Sequence, residues 1–103
     1  MAEKLIFVYI TNPSKQTAER IALRLLEKKL IACANIYASQ SIYRWRGRVR
    51  REREHVLIAK TAERNFAKVQ QEVLSAHPYE IPCIVKLPAV ANRAFAQWVR
   101  KEL

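Results

Sequence analysis

The sequence predicts an α+β fold, an antiparallel sheet covered by helices in the order β-α-β-β-α-β-α. Three observations carry this. Short β-branched and aromatic runs alternate with segments whose apolar residues recur at helical spacing. The chain has 103 residues, half of them apolar, so residues 1–103 read as one domain with a small core. The sole glycine, Gly47, lies between two long strand-like runs, where a tight hairpin needs it.

The elements follow in turn. Lys4 to Thr11 is nearly all apolar and reads as a central strand buried on both faces. Asn12-Pro13-Ser14 stops it and starts a helix, with the proline fitting the first turn. Ala18, Ile21, Ala22, Leu25, Leu26 and Leu30 form the apolar stripe of that helix, with Arg20, Arg24, Glu27 and Lys28 opposite. Ile31 to Trp45 is a long strand in which Ser39-Gln40-Ser41 marks a place for a bend or bulge. Arg46-Gly47 makes the turn, and Val49 to Thr61 returns. Thr61 suits the cap of a second helix carried by Phe66, Val69, Val73 and Leu74. His77 to Pro82 breaks that helix, Cys83 to Leu87 is another strand, and Pro88 ends it. Asn92 can cap a last helix with Phe95, Trp98 and Val99 on its apolar side.

Two β-α-β units in this order, with right-handed crossovers, form the ferredoxin-like sandwich. Strands one and three are then central, and strands two and four are edges. Cys33 and Cys83 fall on opposite edges, which separates them within one chain. An intrachain disulfide or a shared metal is not expected, while a contact across subunits stays open.

The hairpin is long for so small a chain. Strands of about fifteen residues extend roughly 50 Å. A compact globule of this length has a radius of gyration of about 13 Å. The hairpin must bend sharply or project, and a lone two-stranded ribbon is marginal in water. Tyr43 and Trp45 near its tip gain by lying against a neighbouring subunit. Assembly is therefore expected.

Composition narrows the function. There are nineteen Lys and Arg against nine Glu and no Asp, a net charge of +10. Segment 44–54 alone holds six Arg and two Glu. Such an excess raises a polyanion or nucleic-acid partner as the alternative function, through Arg46, Arg48, Arg50 and Arg51. The other reading is a solvated hairpin tip. The apolar run Leu5 to Ile10 is too short to span a membrane, and a cytoplasmic protein is expected. Two cysteines fifty residues apart exclude a C-x-x-C site and read as two buried free thiols. Without Asp, and with two His, no Ser-His-Asp triad can form. One glycine excludes a P-loop or dinucleotide fingerprint. No enzymatic activity is expected.

The residues resemble the CutA family from end to end. The resemblance lies in Thr11, the Ala18 to Leu26 helix and the run Leu30 to Ile36 (LIACANI). It continues through Ser41 to Gly47 (SIYRWRG), Glu54, Lys60-Thr61 and His77 to Pro82 (HPYEIP). It implies a cytoplasmic homotrimer of ferredoxin-like subunits, shaped like PII-type signalling proteins. It also implies a role in tolerance of divalent metal ions, copper among them, without catalysis. Some members are thought to bind copper through a cysteine ending strand one and adjacent histidines before the Pro-Tyr pair. Here those positions are Ile10, Ala76 and His77, so only His77 matches. Cys83 stands where many members carry Glu and offers a soft ligand nearby.

His77 and Cys83 are thus the candidate metal ligands, for copper or another divalent cation. The competing role for His77 is an imidazole that hydrogen-bonds backbone at a helix end, where a cation suits the helix dipole. Glu54, Lys60 and Glu80, with the aromatic residues Tyr43, Trp45 and Tyr79, are candidates to line a cleft between subunits. The competing role for the charged residues is salt bridges that set trimer register. The competing role for the aromatic ones is interface packing.

Overall fold

The computed structural model describes residues 3–103. Its elements are β1 (Leu5–Asn12), α1 (Lys15–Glu27), β2 (Cys33–Trp45), β3 (Arg48–Ala62), α2 (Phe66–Ala76), β4 (Ile84–Ala89) and α3 (Arg93–Lys101). A 3-10 turn, Glu63–Asn65, leads into α2. The sheet has the order β2-β3-β1-β4 with every neighbouring pair antiparallel. Strands one and three are central, as the sequence leads one to expect.

Alternation along β1 divides the sheet into two faces. Ile6, Val8 and Ile10 turn to α1 and α2, where they pack with Ile21, Leu25, Leu57, Ala59, Val69 and Val73. Leu5, Phe7, Tyr9 and Thr11 turn to the other face. There α3 covers only the Leu5 end, with Ala32, Ala96 and Val99. Phe7, Tyr9 and Thr11 are half-buried, so β1 is not covered on both faces as expected. The nine-residue α3 is too short to reach across the whole sheet.

Helix α1 starts at Ser14, whose hydroxyl accepts from the Thr17 backbone N–H at 3.1 Å. Pro13 therefore precedes the cap instead of entering the first turn. At the other end Leu30 leaves the helical stripe. Lys29 takes φ 56°, its N–H bonds Leu26 O, and Leu30 N–H bonds Leu25 O. This is a Schellman motif with lysine where glycine usually stands. Leu30 closes it by packing into the core.

Other local expectations fail for definable reasons. The β2–β3 ladder is unbroken from Cys33↔Lys60 to Trp45↔Arg48, so no bulge forms at Ser39–Ser41. Thr61 does not cap α2. Its hydroxyl donates to Leu30 O at 2.6 Å and accepts from Asn65 Nδ2 at 3.2 Å. Leu74 and Trp98 are largely exposed, because Val69 and Val73, or Ala96 and Val99, fill the contacts of their helices. Asn92 occupies the cap position of α3 without a side-chain cap bond. Pro88 lies within β4, which an edge strand tolerates.

The arm projects. β1 accompanies β3 only over residues 55–62, so residues 39–45 and 48–54 pair with each other alone. Arg46 and Gly47 turn it with φ of 51° and 77°, the two positive values of a type I′ turn. The molecule measures 47 × 24 × 21 Å, with a radius of gyration of 14.3 Å.

Candidate functional site at the root of the arm

The site begins with the alternation of β2 and β3. Ser39, Ser41, Tyr43 and Trp45 share one face with Arg48, Arg50, Glu52 and Glu54, because each pair faces directly across the ladder. That face looks away from α1 and α2. The loop after α2 crosses in front of it and closes a cavity of about 690 Å³. Thr11, Gln40, Ser41, Ile42, Tyr43, Trp45, Glu52, Glu54, Tyr79, Glu80, Ile81 and Cys83 line it.

His77 fixes the loop. Its backbone N–H closes α2 on Val73 O at 2.8 Å. The Tyr79 backbone N–H donates to Nδ1 at 3.1 Å, so Nδ1 carries a lone pair. Nε2 then carries the proton and donates to Thr11 O at 2.8 Å. Both ring nitrogens are engaged by backbone, and neither offers a lone pair to a metal. The imidazole instead sets the position of Tyr79, whose ring lies 4.7 Å away.

Tyr79 in turn donates its hydroxyl to Glu54 Oε2 at 2.7 Å. Glu54 is 7% exposed, a buried carboxylate in a chain with few of them. The Tyr79 phenol is raised above its ordinary pKa, first by burial, then by the hydrogen bond to Glu54 and that group's charge. Farther out, Arg46 donates to Glu80 Oε2 at 3.0 Å and lies 5.3 Å over the Trp45 ring. This exposed pair contributes little to stability but joins the loop to the arm tip.

Six of the expected residues thus meet: Tyr43, Trp45, Glu54, Tyr79, Glu80 and Cys83. His77 stands behind them. Lys60 lies elsewhere, its ammonium 5.5 Å from the rings of Phe7 and Phe95 under α3. The sequence reading missed Thr11, Gln40, Ser41, Ile42, Glu52 and Ile81 as lining residues. Strand parity was the signal for Ser41 and Glu52, which share the face of Tyr43 and Glu54. No group of three or more His, Cys, Asp or Glu among the described residues is placed to hold a metal ion. Cys33 and Cys83 are free thiols, half-buried and not buried as expected, and partial burial raises the Cys33 pKa against the opposing charge of Lys60.

The chain is a ferredoxin-like α+β domain with a projecting two-stranded arm and an acidic, aromatic cleft at its root. A family model described as CutA1 divalent ion tolerance protein matches residues 6–102, and the chain belongs to that family. It is 45% identical to the divalent-cation tolerance protein CutA of Archaeoglobus fulgidus, over 90% of this chain and 92% of that one. Identity to the Thermus thermophilus protein of the same name is 44%, over 91% and 93%. Among solved structures, the A. fulgidus protein, described as periplasmic, superposes with a TM-score of 0.93 at 42% identity, covering 95% of this chain and 97% of the other. CutA1 from Oryza sativa gives a TM-score of 0.93 at 32% identity, covering 98% and 94%. No described helix is long and apolar enough to cross a membrane.

Proposed function

We propose that this chain serves divalent-cation tolerance as a non-enzymatic homotrimer that binds its ligand in the cleft at the root of the arm. The Glu54 carboxylate carries the reading. It is buried, Tyr79 holds one oxygen, and the other takes no hydrogen bond from a described residue. The other oxygen is open to the cleft, and a carboxylate facing aromatic walls there suits a cationic ligand. Copper is the first cation to test, because Cys83 adds a soft donor to the carboxylates, and a neighbouring copy would have to complete the ligand set that one chain does not group.

The trimer is supported by the sheet face that α3 leaves open. Tyr37 is 47% exposed there, and Val85 and Leu87 are 44% exposed. A neighbouring copy laid on that face would bury them. The non-enzymatic reading is supported by His77, whose nitrogens are engaged by backbone and cannot serve as a general base. Two free thiols on opposite sheet edges suit a reducing compartment, the cytoplasm.

Calorimetry with Cu(II), Cu(I) and Zn(II) tests the cleft. Glu54→Gln and Cys83→Ser are expected to weaken the tightest of these by tenfold or more. Unchanged affinity in both variants would remove the cleft as the site.

A further inference from the structure

Carboxylates are the scarce charge of this chain, nine Glu against nineteen Lys and Arg. A basic partner is therefore easy to find, and Glu3, Glu19, Glu63, Glu72 and Glu80 each have one. Glu52 and Glu54 form no ion pair with a described residue, although both line the cleft. Glu54 is 7% exposed and Tyr79 holds one of its oxygens, which leaves the other as an acceptor open to the cleft. Its own chain buries this carboxylate, so the arrangement does not depend on whether a neighbouring copy covers the arm.

The outer end of the cleft shows what such a wall takes. The Arg46 guanidinium donates to Glu80 at 3.0 Å and lies 5.3 Å over the Trp45 ring. One carboxylate and one aromatic face there hold a nitrogen cation. Glu54 and Glu52 repeat the pattern beside Tyr79 and Tyr43, with no Lys or Arg of the described chain paired to them. The two carboxylates project to the same side of β3, on Cα atoms about 6.7 Å apart. Like charges at that spacing repel, and a cation that reaches both removes the repulsion.

Size and spacing narrow the ligand. A cavity of about 690 Å³ has room for a small organic molecule. Among the described residues no three His, Cys, Asp or Glu of one chain group around a metal ion, whereas an ammonium needs only a carboxylate and an aromatic face. Two amines joined by four methylenes lie roughly 6 Å apart, close to the spacing of Glu52 and Glu54. Ile42 and Ile81 add apolar wall for the methylenes. We infer that the cleft binds a linear aliphatic diamine or polyamine, with successive ammonium groups on Glu54 and Glu52. This rests on the cleft reading and gives it a second class of cation.

Calorimetry of the assembled protein with putrescine, spermidine and butylamine tests it. At about 0.15 M salt the net charge of +10 is screened beyond about 8 Å, so the local carboxylates decide. Putrescine and spermidine are expected to bind about tenfold or more tightly than butylamine, because the second ammonium gains a charge-assisted contact. Glu52→Gln, at an exposed position that folding tolerates, is expected to abolish that advantage and leave butylamine unchanged. Glu54→Gln is expected to weaken all three amines, and Cys83→Ser none. Equal affinity for putrescine and butylamine in the parent would overturn the inference, as would diamine binding unchanged in Glu52→Gln or in Glu54→Gln. A neighbouring copy that fills the cleft or supplies its own cation would leave the assembled protein without amine binding, which overturns it too. Metal binding that needs Glu54, without amine binding, sinks the diamine and leaves the cleft reading in place.

Discussion

The Tyr79 hydroxyl donates to the buried Glu54 carboxylate across 2.7 Å, joining the loop after α2 to the root of the arm. Removing that donor leaves a buried charge with less solvation. Tyr79→Phe is expected to cost about 1–3 kcal/mol in denaturant unfolding. Adding Glu54→Leu is expected to restore part of the loss, because both polar partners are then gone. Protein concentration must be held fixed, since assembly contributes to apparent stability.

The same bond sets an alkaline limit. The pKa of the Tyr79 phenol is raised in the folded chain above its ordinary value of 10.0. Below that value the phenol is protonated in both states and the bond contributes fully. As pH rises past it, the unfolded chain ionises first and stability falls. Thermal melts from pH 9 to 11 are expected to fall more steeply for the parent than for Tyr79→Phe. Equal slopes would contradict this.

An acid limit of opposite sign lies between α1 and α2. Glu72 accepts from Lys28 at 2.6 Å and from Arg24 at 2.8 Å. These bonds lower its pKa below 4.5, the hydrogen bond from Lys28 being the largest cause. The contribution is present above 4.5 and is lost as pH falls through the lowered folded value. Melts between pH 5 and 3 are expected to decline less for Glu72→Gln than for the parent.

Much of this architecture was legible because periodicity is enforced by burial. Ile21, Leu25, Val69 and Val73 repeat at helical spacing and all reach the core. Gly47 announced the turn because two positive φ values in succession strongly favour glycine at one of them. The site was legible in part. Tyr79 and Glu54 are 25 residues apart in sequence, and only the loop geometry brings them to bonding distance. His77 was read either as a metal ligand or as an imidazole bonding backbone at a helix end, and the bonds to Thr11 O and Tyr79 N–H fit the second reading. Lys60 was read into the cleft, although it lies under α3, because sequence does not show where a third layer stops. Thr61 was read as a cap because its actual partner, Leu30 O, is 31 residues away.

Lys29 offers a stabilising change. It holds φ 56° at the position of the Schellman motif where glycine is most at ease. Lys29→Gly relieves that strain at some entropic cost to the unfolded chain. A gain of about 0.5–1 kcal/mol is expected, a rise of several degrees in Tm for a domain of this size. A fall in Tm would show that the lysine side chain contributes more than its backbone costs.

The central claim is that an arm this long, beside a sheet face this open, needs partner chains. Light scattering on the eluting peak of the 103-residue chain tests it most directly. Three 12.0 kDa chains predict a mass of about 36 kDa that persists on dilution to micromolar concentration. A stable, folded species at 12.0 kDa would contradict the account.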